Sequence, residues 1–163
     1  MWRRKNERLS DNCILEADRY GGTNIMVWGA ISYDYKSQLH FCEESVTGQY
    51  YTDNILSTIV VPMLQNNTRI SIFQQDNARA HTSGLANTFL QRNNIPCLPW
   101  PAVSADLAPI EHVWDILGRK VLNRVDIDTN QSTLKQILQE EWDNITQNEI
   151  IGIIKSMRRR CVV

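Results

Sequence analysis

The sequence predicts a mixed α/β domain. Apolar, β-prone segments follow a polar start, later segments of this kind alternate with amphipathic helical patterns, and the end of the chain is helical throughout. A length of 163 residues suits one hydrophobic core. We therefore expect one domain over residues 1–163, with a polar lead-in at 1–22, a core at 23–124 and C-terminal helices at 125–163.

Two segments near the start predict an antiparallel hairpin. Residues 24–32 form a continuous apolar run with β-branched and aromatic members, which is typical of a buried strand. Residues 38–42 alternate in polarity and follow a turn at 34–37, so the two strands are expected to pair. The lead-in before Gly21 has no such pattern, and no strand is expected there.

Helical spacing and capping residues predict the later elements. Thr47 is a suitable N-cap for a helix whose apolar positions recur every four residues at Tyr51, Ile55, Ile59 and Met63. The remaining predicted elements are a β-prone segment at 69–75, a helix beginning at Thr82 or Ser83, a short strand at 95–98, a helix opened by Pro109, and helices at about 132–145 and 148–160.

Composition excludes several classes of protein. With 42% hydrophobic and 21% charged residues, the chain is not expected to be disordered, and no apolar run is long enough for a membrane-spanning helix. No signal peptide is recognised at the start, so we expect an intracellular protein. The net charge of −1 gives no global basic field, although a local groove can still be basic. The four cysteines are widely spaced, and buried or idle free thiols are favoured over a zinc site or disulfides.

Two carboxylates stand where site residues often lie. Asp76 directly follows a β-prone segment, and active sites of open α/β sheets gather at the carboxyl ends of strands. Glu111 lies in the first turn of the helix opened by Pro109, beside the apolar stripe of that helix. Each residue alone is explained better by a turn or by the helix dipole than by a catalytic role. Together they supply oxygen ligands from two rigid elements, which suits a hard divalent cation such as Mg²⁺.

These residues carry a family resemblance. The blocks FQQDNARAH and LPWPAVSADLAPIEHVWDILGRKV resemble the catalytic core of the mariner superfamily of DDE transposases, with Asp76 matching the second acidic residue of that family and Glu111 the third. Asp76 and Glu111 are separated by 34 residues, the spacing of one major branch. The segments WRRKNER, GGTNIMVWGAIS and SMRRRC extend the resemblance along nearly the whole chain.

The resemblance implies a fold and a chemistry. It implies a ribonuclease H-like mixed sheet with flanking helices, two Mg²⁺ or Mn²⁺ ions, and DNA strand cleavage followed by strand transfer. Asp76 and Glu111 are the expected catalytic residues and metal ligands, and DNA is the expected partner, with a homodimer as a further expectation. The resemblance also implies a location in the nucleus. Four residues are candidates for the wall of the site: Asn77, His81, Asp106 and His112.

The resemblance also implies a missing part. In the family, the first catalytic Asp lies on a central strand upstream of the WRR segment, and this sequence begins at that segment. We therefore expect the first strand and its Asp to be absent, and this chain to be inactive alone. Three alternatives remain open: a transposase that is active in its full-length form, a nuclease-dead DNA-binding or oligomerising remnant, and a nonfunctional fragment of a transposable element.

Overall fold

The computed structural model describes residues 14–15, 25–66, 72–101, 104, 107–126 and 128–160. Within these ranges lie three strands, β1 (Ile14–Leu15), β2 (Ile25–Trp28) and β3 (His40–Cys42), and the helices α1 (Gly48–Tyr50), α2 (Val61–Asn66), α3 (Gly84–Arg92), α4 (Pro109–Leu122), α5 (Gln131–Asp143) and α6 (Gln147–Arg160), with a π-helix at Tyr51–Val60 between α1 and α2. None of the described helices is long and apolar enough to cross a membrane.

The predicted hairpin is present, although its strands are shorter than expected. β2 pairs antiparallel with β3 from Met26 opposite Cys42 to Trp28 opposite His40. Beyond β2, a single bridge between Ile31 and Lys36 closes the turn. Side chains alternate across β2, so Ile25 and Val27 are buried on one face, while Trp28 packs against a different cluster.

β1 is a difference from the sequence prediction. Ile14 pairs with Met26 and Leu15 with Ile25, which makes β2 the middle strand of three. The lead-in was expected to contain no strand because it is polar and lacks an alternating pattern. A pairing of two residues is too short to produce such a pattern.

The C-terminal helices belong to the main core. α4, α5 and α6 cover the Ile25/Val27 face of the sheet, and the indoles of Trp114 and Trp142 stack at a centroid distance of 5.0 Å. Trp142 is fully buried. The expected separation into a core and a helical tail is therefore only a division along the sequence, since α5 and α6 share one hydrophobic cluster with β2.

The other face of the sheet meets a second cluster, built on the helical segment from Gly48 to Asn66. Thr47 caps this segment as predicted, accepting a hydrogen bond from the backbone N–H of Tyr50. Its middle is wider than an α-helix, and the Val61 N–H reaches the carbonyl oxygen of Leu56, five residues earlier. The wider turn changes which side chains are buried: Val60 is buried and Ile59 is only half-buried, whereas the expected α-helical spacing favoured Ile59.

The predicted strand at 69–75 is described only from residue 72 onward. Phe73 forms a parallel bridge with Cys97, and its backbone exchanges hydrogen bonds with Pro96 and Leu98 at 2.9 and 2.8 Å. Cys97 lies in the predicted strand at 95–98, so the two segments meet as short extended chains. Between Phe73 and β2 lies a cavity of about 350 Å³, which we call the central cavity.

Candidate active site

Asp76 is fixed by its own turn. It follows the extended segment that ends near Phe73, and its Oδ1 accepts a hydrogen bond of 3.1 Å from the backbone N–H of Ala78. This is an Asx turn, in which a short carboxylate satisfies the backbone two residues later. The Nδ1–H of His81 donates a second hydrogen bond to the same Oδ1, at 2.5 Å. Oδ2 of Asp76 has no partner among the described residues.

His81 is itself held on two sides. Its ring packs against that of Tyr51 with centroids 4.2 Å apart, and the Tyr51 hydroxyl donates to Oε1 of Gln75 at 2.7 Å. Nε2 of Gln75 donates back to the carbonyl oxygen of His81 at 3.3 Å. His81 is 5% exposed, and its Nε2 is buried with no partner among the described residues.

Glu111 comes to the same place from α4. Ala108 is extended at the N-cap, Pro109 fills the first turn, and Glu111 follows with its N–H bonded to the Ala108 carbonyl oxygen at 3.2 Å. Burial raises the pKa of Glu111, and the negative charges of Asp76 and Asp115 raise it further. Both Asp76 and Glu111 line the central cavity. A cation placed between two such carboxylates would remove their mutual repulsion.

The four expected wall residues have different outcomes. His81 lines the central cavity. Asn77 does not line the cavity but holds a loop that does. Its Nδ2 donates to the carbonyl oxygen of Trp100 at 3.0 Å, and Trp100 lines the cavity. His112 is exposed and is not among the residues that line the cavity. Asp106 lies outside the described residues.

Sequence reasoning did not select Tyr51 and Gln75, although they support His81. Tyr51 was expected only as an apolar position on a helix, and Gln75 only as the end of a strand. The contact between them joins residues 24 positions apart, so no local pattern signals it. The available clue is a Tyr at the start of a buried helical face, since a buried phenol needs a hydrogen-bond partner.

The arrangement can hold a cation, but its ligand set is small. Within the described ranges, no group of three or more His, Cys, Asp and Glu side chains is placed to bind a metal ion. Asp76 and Glu111 offer carboxylate oxygens, and the remaining ligands of a hard cation would be water. Much of the cavity wall is apolar, formed by β2, Phe73 and Trp114. Such a wall strengthens electrostatic interactions in the cavity by keeping the local dielectric low.

Comparison with solved structures identifies the fold. The catalytic domain of Mos1 mariner transposase matches with a TM-score of 0.71 at 21% identity, covering 84% of this chain and 70% of that one. Another structure of that domain, with Raltegravir and Mg, matches with a TM-score of 0.70 at 23% identity, covering 84% of this chain and 71% of that one. A Mos1 transposase paired-end complex with the left transposon end matches with a TM-score of 0.71 at 22% identity, covering 85% of this chain and 42% of that one. These matches confirm the expected ribonuclease H-like fold.

Curated relatives are more similar in sequence. The Tc3 transposase of Caenorhabditis elegans is 33% identical over 150 residues, which are 91% of this chain and 45% of the relative. The Tc1 transposase of the same organism is 35% identical over 148 residues, 88% of this chain and 52% of the relative. The chain thus spans about half the length of these relatives.

The family match covers most of the chain and includes both carboxylates. Residues 1–144 match the family described as DDE superfamily endonuclease. This range contains Asp76, His81 and Glu111 and every residue that lines the central cavity except Ile154. The chain therefore belongs to the DDE superfamily endonuclease family.

Proposed function

We propose that this chain is the catalytic part of a DNA transposase that cuts and joins DNA strands with a divalent cation held by Asp76 and Glu111. The observation that carries the proposal is the convergence of these two carboxylates on the central cavity, where burial and then the charge of Asp76 raise the pKa of Glu111. Structures of Mos1 transposase with Mn, with Mg and with a transposon end share this fold, which supports a divalent metal and DNA for this chain.

The residues fit such a cation in part. Oδ2 of Asp76 and the Glu111 carboxylate are the oxygens that would hold it, because Oδ1 of Asp76 already accepts two hydrogen bonds. When bound, the cation would activate the attacking oxygen and neutralise charge on the phosphodiester. The protein's own share is to bring both carboxylates to the same cavity and to limit access of bulk water with the apolar wall. We propose two ions for the complete site, as the family resemblance implies, whereas Asp76 and Glu111 alone form a weak ligand set.

Metal binding tests the proposal most directly. We expect Mn²⁺ titration of the 163-residue chain, followed by electron paramagnetic resonance of free Mn²⁺, to show a weak site that is lost in both D76N and E111Q. The matched control is D53N, which removes an exposed carboxylate of the π-helix that neither lines the cavity nor shifts the pKa of Glu111. Mn²⁺ binding that is equal in the wild type and D76N would contradict the proposal.

A second candidate function has a specific observation in its favour. Among the described residues, no group of three or more His, Cys, Asp and Glu side chains is placed to bind a metal ion, which suits a nuclease-dead chain that still binds DNA or a second copy of itself. Sedimentation of the chain, alone and with duplex DNA, separates these roles. Dimerisation and a nuclear location belong to the main proposal as well, and localisation of the tagged chain in cells tests the latter.

A further inference from the structure

The Asp76 carboxylate is unusual in how unevenly its two oxygens are used. Oδ1 accepts from the Ala78 N–H at 3.1 Å and from His81 Nδ1 at 2.5 Å, while Oδ2 accepts nothing from the described residues. An ionised carboxylate has no proton to give, so the hydrogen in the contact with His81 belongs to Nδ1. The two donors lie on different parts of the turn, and together they fix the rotation of the carboxylate.

The Ala78 hydrogen bond alone would not fix this rotation. An Asx turn is a single hydrogen bond between groups close in sequence, and it is worth about 1 kcal/mol. The bond from His81 adds a second constraint, from a ring that is itself immobile. His81 is 5% exposed and packs on Tyr51, and its carbonyl oxygen accepts from Gln75.

The support continues one step further from the carboxylate. The Tyr51 hydroxyl donates to Gln75 at 2.7 Å, and Gln75 stands directly before Asp76 in the chain. Tyr51 is fully buried, at the start of the π-helix. Burial raises the pKa of Tyr51 well above its ordinary value, with the charge of Asp76 as the next cause, so the hydroxyl remains a donor. Tyr51, Gln75 and His81 therefore form a connected network, in which His81 contacts Oδ1 of Asp76 and the other two residues hold His81.

We propose that His81 is a positioning residue, which uses its Nδ1–H to hold Oδ1 of Asp76 so that Oδ2 is kept free for a cation shared with Glu111. The inference rests on the proposed function, because it assigns His81 a role at the same site. This role differs from that of a general base, which accepts a proton from the reacting group. The hydrogen bond from Nδ1 to Asp76 is not evidence for a general base. Hydrogen-bond partners of ligating carboxylates typically change metal affinity by about 10- to 100-fold when they are removed.

Two substitutions of His81 test this role. H81L removes the donor while keeping a side chain of related volume, and we expect Mn²⁺ affinity to fall about 10-fold. H81N places an amide N–H near the position of Nδ1, and we expect it to restore most of the affinity. A residue that served only to fill space would not show this rescue, since Leu fills the site at least as well as Asn.

Controls separate folding from positioning. H40N and H40L change a half-buried histidine that is hydrogen-bonded to Tyr50 and does not line the central cavity, so Mn²⁺ affinity should be unchanged. Circular dichroism of each variant reports folding. If H81L does not fold, Y51F provides the second variant, because it keeps the ring against His81 and removes only the bond to Gln75. We expect Y51F to weaken Mn²⁺ binding about 2- to 3-fold, a smaller loss than removal of the direct donor.

The outcomes are distinguishable. Binding that depends on Asp76 but is equal in the wild type, H81L and Y51F would overturn the role of His81 and leave the proposed function intact. Equal loss in H81L and H81N, with both folded, would also overturn it. Binding that does not depend on Asp76 would overturn the proposed function and this inference with it. Loss in H81L with recovery in H81N supports the inference.

Discussion

The indole Nε1 of Trp142 donates a hydrogen bond of 2.9 Å to the carbonyl oxygen of Ser37, 105 residues earlier in the chain. Lys36 strengthens the same connection, since its Nζ donates to the carbonyl oxygens of Trp142 and Ile145 at 2.5 and 2.7 Å. The turn of the β2–β3 hairpin is thereby tied to the end of α5. This connection fixes the sheet against the helices, and α4 among them carries Glu111.

The first prediction concerns this connection. W142F removes the hydrogen bond and part of the ring, so we expect the free energy of unfolding in urea to fall by about 1–3 kcal/mol. W142A should cost about 3–5 kcal/mol because it also leaves a large cavity. L122A is the matched control, since Leu122 is largely exposed, and it should change stability by less than about 0.5 kcal/mol. Equal effects of W142A and L122A would contradict the packing described here.

A second prediction compares two glycines. A Cβ at Gly29 would lie 3.0 Å from both Trp114 and Trp142, so G29A must displace stacked indoles and should destabilise the protein by about 1–3 kcal/mol. A Cβ at Gly152 meets nothing within 4 Å, and the residue lies inside α6. G152A should therefore stabilise by about 0.5–1 kcal/mol through helix propensity. Thermal unfolding of the two variants side by side checks the opposite signs.

The structure could be predicted from the sequence more closely in the first core cluster than in the second. The helix at Pro109–Leu122 was predicted closely because proline, a first-turn acid and an α-helical apolar stripe agree there. The α-helical spacing favoured Ile59 for the buried face, whereas Val60 is buried and Ile59 is half-buried, because the π-helix has a wider repeat than the α-helix and nothing in its composition signals this. Asp76 and Glu111 were found through a specific motif, whereas the Tyr51–Gln75 contact is set by tertiary packing and was missed.

The third prediction follows from Glu111. Burial raises its pKa in the folded protein. At a pH between the ordinary and the raised pKa, the folded state therefore keeps a proton that the unfolded state has lost. Stability therefore falls as pH rises from the ordinary pKa of Glu through the raised value. E111Q should flatten this part of the pH profile and should be more stable than the wild type at neutral pH without metal. Urea unfolding at several pH values, with a chelator present, measures both effects, and an unchanged profile in E111Q would contradict the assignment.

A fourth prediction concerns activity. Asp76 and Glu111 supply two carboxylates, and two-metal cleavage of a phosphodiester requires a fuller set of ligands. We therefore expect the 163-residue chain to produce no detectable nicking of supercoiled DNA with Mg²⁺ or Mn²⁺. Nicking that requires metal and disappears in D76A would show this expectation to be wrong.

The last prediction concerns the central cavity and the stability of the chain. β2 pairs with β1 only at Ile25 and Met26, and beyond these residues its edge faces the cavity. On the opposite wall, the backbone of Phe73 forms its hydrogen bonds with Pro96 and Leu98 and not with β2. β2 and the extended segment at Phe73 thus lie on two walls of a cavity of about 350 Å³, and no strand in the described part of the chain pairs with both.

Such an arrangement is expected to be weak. An unpaired backbone group buried without a partner costs about 1–3 kcal/mol, and several of them rival the whole stability of a domain, about 5–15 kcal/mol. Exposed strand edges also pair between molecules. We therefore expect the 163-residue chain to be marginally stable and prone to aggregate. Adding an upstream apolar strand that ends in Asp, as the family resemblance implies, should raise the melting temperature and yield a monodisperse protein.

The matched control is the same added strand with proline at two central positions, because proline cannot donate to a sheet. This version should not stabilise the chain, since its length and apolar character are kept while its backbone pairing is lost. Light scattering and thermal unfolding of the three proteins distinguish pairing from simple burial of apolar surface. Cooperative unfolding of the 163-residue chain as a monomer at high temperature, with no added strand, would contradict the expected cost of unpaired backbone groups on the walls of the central cavity.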